Sequence, residues 1–182
     1  MKKFLFSLVG AVCLSGCSII PNPGEPPKRF TLESVKTQET HAPLNHKLMV
    51  DIPNVYPPLD NQRIGVVPAL NRIDYYADCE WGDRLGILVQ DSLIYSLQNR
   101  QLFSGVTRTH DGITPDLLLK IDVRKFFVSQ TPQPTAIVQY YAQLIRLTDR
   151  QVISQQEFET SLTVEQENLD EIGRKLNQAN LI

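Results

Sequence analysis

Three period-two segments, separated only by short turns, dominate the second half of the chain and restrict it to a sheet-based fold. In DLLLKIDVRKFFV, residues 116–128, Leu117, Leu119, Ile121 and Val123 alternate with Leu118, Lys120, Asp122 and Arg124. Successive side chains of a strand point to opposite faces, so this pattern makes one buried and one more polar face. TPQPT follows as a turn. TAIVQYYAQLIRLTD, residues 135–149, is a second long strand. Asp149-Arg150 turns the chain into VISQQEFETSLTV, where Val152, Phe158, Leu162 and Val164 keep phase two. The three strands form a meander.

The first half offers shorter strands and one long helix. Phe30-Thr31-Leu32 starts the fold as a short strand, and residues 35–46 are polar and loop-like. KLMVDIPNV, residues 47–55, alternates Leu48, Val50 and Ile52, and Pro53 puts this strand at an edge or at its end. YPPLDNQ is a turn. RIGVVPALNRIDYY, residues 63–76, reads as two short strands around a turn at Pro68. A helix is expected from about Glu80 to Arg100, capped by Asp78, with Glu80 and Asp83 in its first turn. Trp81, Leu85, Leu88, Val89, Leu93 and Leu97 fall at helical spacing along it, and Gly105 ends the region. After the meander, Thr163 and Gln166 fit a capping box for a last helix carrying Leu169, Ile172, Leu176 and Ala179 on one face. The expected architecture is α+β, an antiparallel sheet with two helices packed on one face.

The N-terminus says where such a domain resides. Lys2 and Lys3 precede an apolar run from Phe4 to Leu14, too short to span a bilayer as a stable helix. Leu14-Ser15-Gly16-Cys17 then matches the bacterial lipobox, in which the cysteine is acylated and the peptide is cut before it. The expected division is a signal peptide at 1–16, a lipidated proline-rich tether at 17–28 and a domain at 29–182. One acyl chain holds a protein only marginally, whereas several hold it stably. Ser18, in place of the Asp that retains lipoproteins at the inner membrane, favours export to the outer membrane. PNPGEPPK, residues 21–28, reaches about 25 Å as an extended proline-rich segment and would lift the domain off the membrane.

Charge and cysteine content narrow the partners. Without its two signal lysines the chain has 16 basic and 20 acidic residues, which argues against nucleic acid and against a polybasic membrane patch. Cys13 leaves with the signal and Cys17 is taken by lipid, so Cys79 is left without a disulfide partner and is expected to be buried. No phosphate-binding loop, HExxH, GxSxG or CxxC is present. His41 and His46 share a loop and His110 lies apart, so no metal site is expected. Asp60, Asp74, Asp78, Glu80 and Asp83 are scattered acids among which nothing selects a catalytic pair. We therefore expect no catalytic residues, no cofactor and no enzyme. Tyr75, Tyr76 and Trp81 form an aromatic cluster. Trp81 is assigned to the core, while Tyr75 and Tyr76 are candidates for a partner-binding surface, because such rings bury area and keep a polar tip.

The lipobox, RFTLES, LMVDIPNVYPPLDNQRIGV, YYADCEWGDRLG, DLLLKIDVRKF and IVQYYAQLIRL with a following FET resemble, in this order, the ABC-type transport auxiliary lipoproteins, including their paraquat-inducible protein C branch. Phe30 departs from the usual Tyr, and the family's C-terminal helix is usually longer than the segment ending at Ile182. The resemblance implies a non-enzymatic lipoprotein at the periplasmic face of the outer membrane, anchored by its acyl chains. It would work with an MCE-domain (mammalian cell entry) protein and an ABC transporter that move phospholipid or other hydrophobic molecules across the envelope. A periplasmic protein that carries the lipid itself and a hydrolase with an unrecognised site are the competing readings, and homo-oligomerisation stays open.

Overall fold

The computed structural model describes residues 25–36, 42–109 and 111–181. Within them run β1 (Lys28–Phe30), β2 (Leu44–Val50), β3 (Asn54–Val55), a 3-10 turn (Pro57–Leu59), β4 (Arg63–Ala69) and β5 (Arg72–Trp81). Then follow α1 (Leu85–Arg100), β6 (Phe103–Arg108), β7 (Leu117–Ser129), β8 (Thr135–Arg146), β9 (Gln151–Thr163) and α2 (Leu169–Asn180).

β7 organises the sheet. One of its edges pairs with β8, from Leu117 opposite Arg146 to Ser129 opposite Thr135, and β8 pairs in turn with β9. The meander is therefore antiparallel as its turns require. The other edge of β7 takes three strands in succession, all parallel to it. β2 lies beside residues 117–119, β3 beside 122–123 and β4 beside 127–129. β6 adds in parallel to β2, β5 folds back antiparallel on β4, and β1 lies parallel to β5. The sheet is mixed rather than purely antiparallel. The reason is the long connection through β5, α1 and β6, which returns the chain to the sheet in its original direction, as a crossover can and a hairpin cannot.

Both helices cover one face. On that side β7 presents Ile121, Val123, Phe126 and Val128, and β8 presents Ala136, Val138 and Tyr140. α1 contributes Leu85 and Val89, and α2 contributes Ile172, Leu176 and Ala179 to the same core. Trp81 is 1% exposed and stands edge-on to Phe126, with ring centroids 5.5 Å apart. Such T-shaped pairs add about 0.5–1.5 kcal/mol beyond their buried area. A smaller cluster of Leu48, Val50, Ile94, Val106 and Leu117 lies under the second half of α1.

Several boundaries move from their expected places. Trp81 ends a strand instead of opening a helix, because Phe30 and Arg63 pair with Trp81 and Glu80. α1 begins at Leu85 after Arg84, so neither Asp78 nor Glu80 caps it. Pro68 lies within β4, at a register shift between Val66 and Ala69, and the turn itself is Leu70-Asn71, with Asn71 at φ 60°. Thr163 stays in the sheet opposite Thr135, and α2 is capped by Asn168, whose side chain accepts from the Glu171 amide at 2.9 Å. β6 was not expected at all. Lys28, assigned to the tether, opens β1 opposite Cys79.

One polar chain ties the layers together. The buried Tyr140 hydroxyl donates to Asn180 Oδ1 at 2.6 Å, and Asn180 Nδ2 donates to Ser92 Oγ at 2.9 Å. Ser92 donates onward to the Glu33 carbonyl at 2.6 Å. Asn180→Ala strands the Tyr140 hydroxyl, an expected loss of about 1–3 kcal/mol. Adding Tyr140→Phe removes the stranded group and is expected to restore part of that loss in chemical denaturation. Additive losses would contradict the coupling.

Candidate functional site

The tyrosines proposed for a partner surface occupy successive positions of β5 and so point to opposite faces of the sheet. Tyr75 donates its hydroxyl to the Pro58 carbonyl at 2.7 Å, and the Arg63 guanidinium lies 3.9 Å above its ring. Tyr76 packs against the main core instead. Burial, then the nearby Glu167 and Cys79, push the Tyr76 phenol up to about 12. Cys79 is buried, and burial followed by Asp78 raises its thiol to about 11. Burial raises Tyr140 as well.

These three groups are held neutral by the fold, so their contribution is fully present below the ordinary thiol and phenol values of 9.0 and 10.0. It is lost as pH rises through the folded values. The melting temperature is expected to stay level from about pH 6 to pH 8 and to fall above about pH 9. Cys79→Ala should delay the onset of that fall, and an unchanged onset would contradict the assignment to the thiol.

The candidate acids do not converge. Asp60 accepts from Arg84, Asp74 from Arg72 and Glu80 from Arg29. The Asp83 carboxylate accepts from the Arg84 amide at 2.6 Å. His46 Nδ1 lies 4.0 Å from Asp116 at an exposed corner. Among the described residues, no three His, Cys, Asp or Glu side chains gather as metal ligands. Cys17, Ser18, His41 and His110 lie outside the described residues.

What the sheet does bring together is an apolar groove. α2 ends at Asn180, while the helix-bearing face of β8 and β9 continues beyond it. Leu93 and Leu97 of α1 form one wall, Leu119, Ala142 and Leu144 the floor, and Phe158 of β9 the far rim. Two adjoining cavities of about 240 and 290 Å³ share Leu119, Ala142 and Phe158. Beside the groove lies the other edge of β9, which among the described residues pairs with β8 alone and is exposed from Gln151 to Glu159. The opposite face of the same strands is polar. Lys125 and Gln139 both donate to Glu159, at 2.9 and 2.7 Å, and Arg124 lies 4.4 Å over the Tyr141 ring. Sequence reasoning missed the groove.

The sequence from residue 30 to 180 matches the family model of the ABC-type transport auxiliary lipoprotein component. The chain belongs to this family. Its members are lipoprotein components of ABC-type transport, which places the chain among membrane-anchored auxiliary proteins of the cell envelope. No curated protein matches the chain. Among solved structures, a Xanthomonas campestris protein is similar at a TM-score of 0.78 and 22% identity, over 84% of this chain and 87% of that one. A second crystal structure, of an uncharacterized protein, matches at 0.67 and 17% identity, over 86% and 92% of the two chains. At these identities the likeness is one of fold. No helix among the described residues of this auxiliary lipoprotein is long and apolar enough to cross a membrane.

Proposed function

We propose that this lipoprotein is a docking component of an MCE-associated ABC transport system that moves phospholipid or other hydrophobic molecules across the envelope. It is held at the periplasmic face of the outer membrane by acyl chains on Cys17, and Ser18 supports that location. The domain works by binding a protein and carries no catalytic step. The observation that carries this reading is the exposed β9 edge beside the apolar groove. An extended partner segment added to such an edge gains main-chain hydrogen bonds, and its alternate side chains find pockets. Long exposed edges without Lys or Pro invite this kind of pairing; β9 contains neither, and its one register shift, at Ile153, leaves Ser154 to Thr163 in regular pairing with β8.

The second reading, a protein that carries lipid itself, draws on the same apolar lining. Shape weighs against it. The groove lies open beside the exposed β9 edge, whereas small-molecule sites bury most of their ligand's surface. Affinity purification of the intact lipoprotein from detergent-solubilised envelopes separates the readings. The MCE-domain protein and its transporter are expected in the eluate. Phospholipid bound in equimolar amount, without those proteins, would favour the carrier. Cys17→Ala is expected to release the protein from membranes, and a variant that still sediments with them would contradict the anchor.

A further inference from the structure

The β4–β5 hairpin ends in a two-residue tip, Leu70-Asn71, and Leu70 is 89% exposed, the most exposed large apolar side chain among the described residues. A leucine at a turn gains nothing from water, so its surroundings decide what it is for. β1 runs parallel to β5, so the chain preceding Lys28 leaves the domain toward the end of the sheet that carries this tip. The same end holds the β7–β8 turn, tied to the hairpin by the Gln130 amide on the Val67 carbonyl (2.9 Å) and the Thr131 hydroxyl on the Pro68 carbonyl (3.2 Å). Residues 67–71 and 130–135 contain no charged side chain, and the flanking Arg72 is neutralised by Asp74 at 2.5 Å.

Length then decides how far this end stands from the anchor. Lys28 lies one residue beyond the level of Arg63, since Arg29 and Arg63 both pair with Glu80. The tip is six residues further along β4, about 20 Å at strand rise. From Cys17 to Lys28 an extended proline-rich chain spans about 34 Å. A fully stretched tether therefore leaves the tip roughly 14 Å from the anchor, and a bent one brings it to the surface. The hairpin takes up the reach that was expected to lift the domain clear.

We propose that the apex of the β4–β5 hairpin, led by Leu70, rests in the interfacial layer of the membrane that holds the acyl anchor. The domain then stands upright. The opposite end of the sheet, with Leu44, Phe103, Leu144 and Ile153, points away from that membrane, as does the open half of the groove. The loop after β9 brings Glu165 and Glu167 to the membrane end, where the Val164 amide bonds the Pro134 carbonyl at 2.9 Å. The contact is therefore apolar and gains nothing from anionic lipid.

The placement rests on the reading of Cys17 as the anchor, and the test separates the two. Full-length lipidated protein is reconstituted into phosphatidylethanolamine–phosphatidylglycerol vesicles with brominated acyl chains. Leu70→Trp and, at the opposite end, Ile153→Trp are compared over the constant background of buried Trp81. Emission added by Leu70→Trp is expected to be quenched about twofold, and that from Ile153→Trp to be unaffected. The quenching should persist without phosphatidylglycerol. Equal quenching at the two positions, none at position 70, or quenching that requires phosphatidylglycerol overturns the proposal while leaving the anchor standing. Absence of acyl mass on Cys17 overturns both.

Discussion

Trp81→Ala is expected to cost about 3–5 kcal/mol, enough to leave the domain largely unfolded at 37 °C. The indole is fully buried at the end of β5, where the chain leaves the sheet for α1, and packs edge-on to Phe126. Phe126 in turn lies 6.5 Å from the Tyr140 ring, so the three aromatics join β5, β7 and β8 beneath the helices. Removing the largest of them opens a cavity that these rigid strands cannot close. Trp81→Phe keeps most of the volume and is expected to recover more than half of the loss. Urea unfolding checks both variants, and a Trp81→Ala midpoint near wild type would remove Trp81 from the core.

Gly173→Leu is expected to destabilise by about 3 kcal/mol, at the upper end for an overpacked site. A Cβ at this position on α2 would sit 2.5 Å from Phe30 Cδ1 and 2.7 Å from Cε1. The ring must leave, and β1 holds only three residues with which to resist. Unlike Trp81, this site should be rescued by a second change. Phe30→Ala in the Gly173→Leu background makes room and is expected to restore most of the stability. The same contact fixes where the tether meets the domain, so Gly173→Leu should also expose the segment before Lys28 to proteolysis. Resistance equal to wild type would show that Phe30 does not hold β1 in place.

The long strands were legible in the sequence because their alternation is local. Leu117, Leu119, Ile121 and Val123 turn one apolar face inward whatever lies beside them, with Leu119 half-buried. Direction was not legible, since period two is the same in parallel and antiparallel pairs, and β2, β3 and β4 find β7 only through tertiary contacts. β6 escaped notice because Gly105 interrupts a short edge strand whose buried members are Val106 and Thr107. Trp81 misled for a physical reason. Its four-residue spacing from Leu85 fits a helix face, yet pairing with Phe30 keeps it extended. The aromatic pair Tyr75 and Tyr76 drew the eye by composition, while the groove is assembled from Leu97, Ala142 and Phe158 on three separate elements and has no contiguous signature.

The docking account turns on that groove, and affinity for the proposed MCE-domain partner tests it most directly. Calorimetric titration of the mature protein compares wild type with Phe158→Asp, which places a charge on the exposed rim of the groove. The account predicts about thirtyfold weaker binding or more, with an unchanged melting temperature and with Tyr75→Ala near wild type. Wild-type affinity in Phe158→Asp would place the contact elsewhere on the domain and contradict the account.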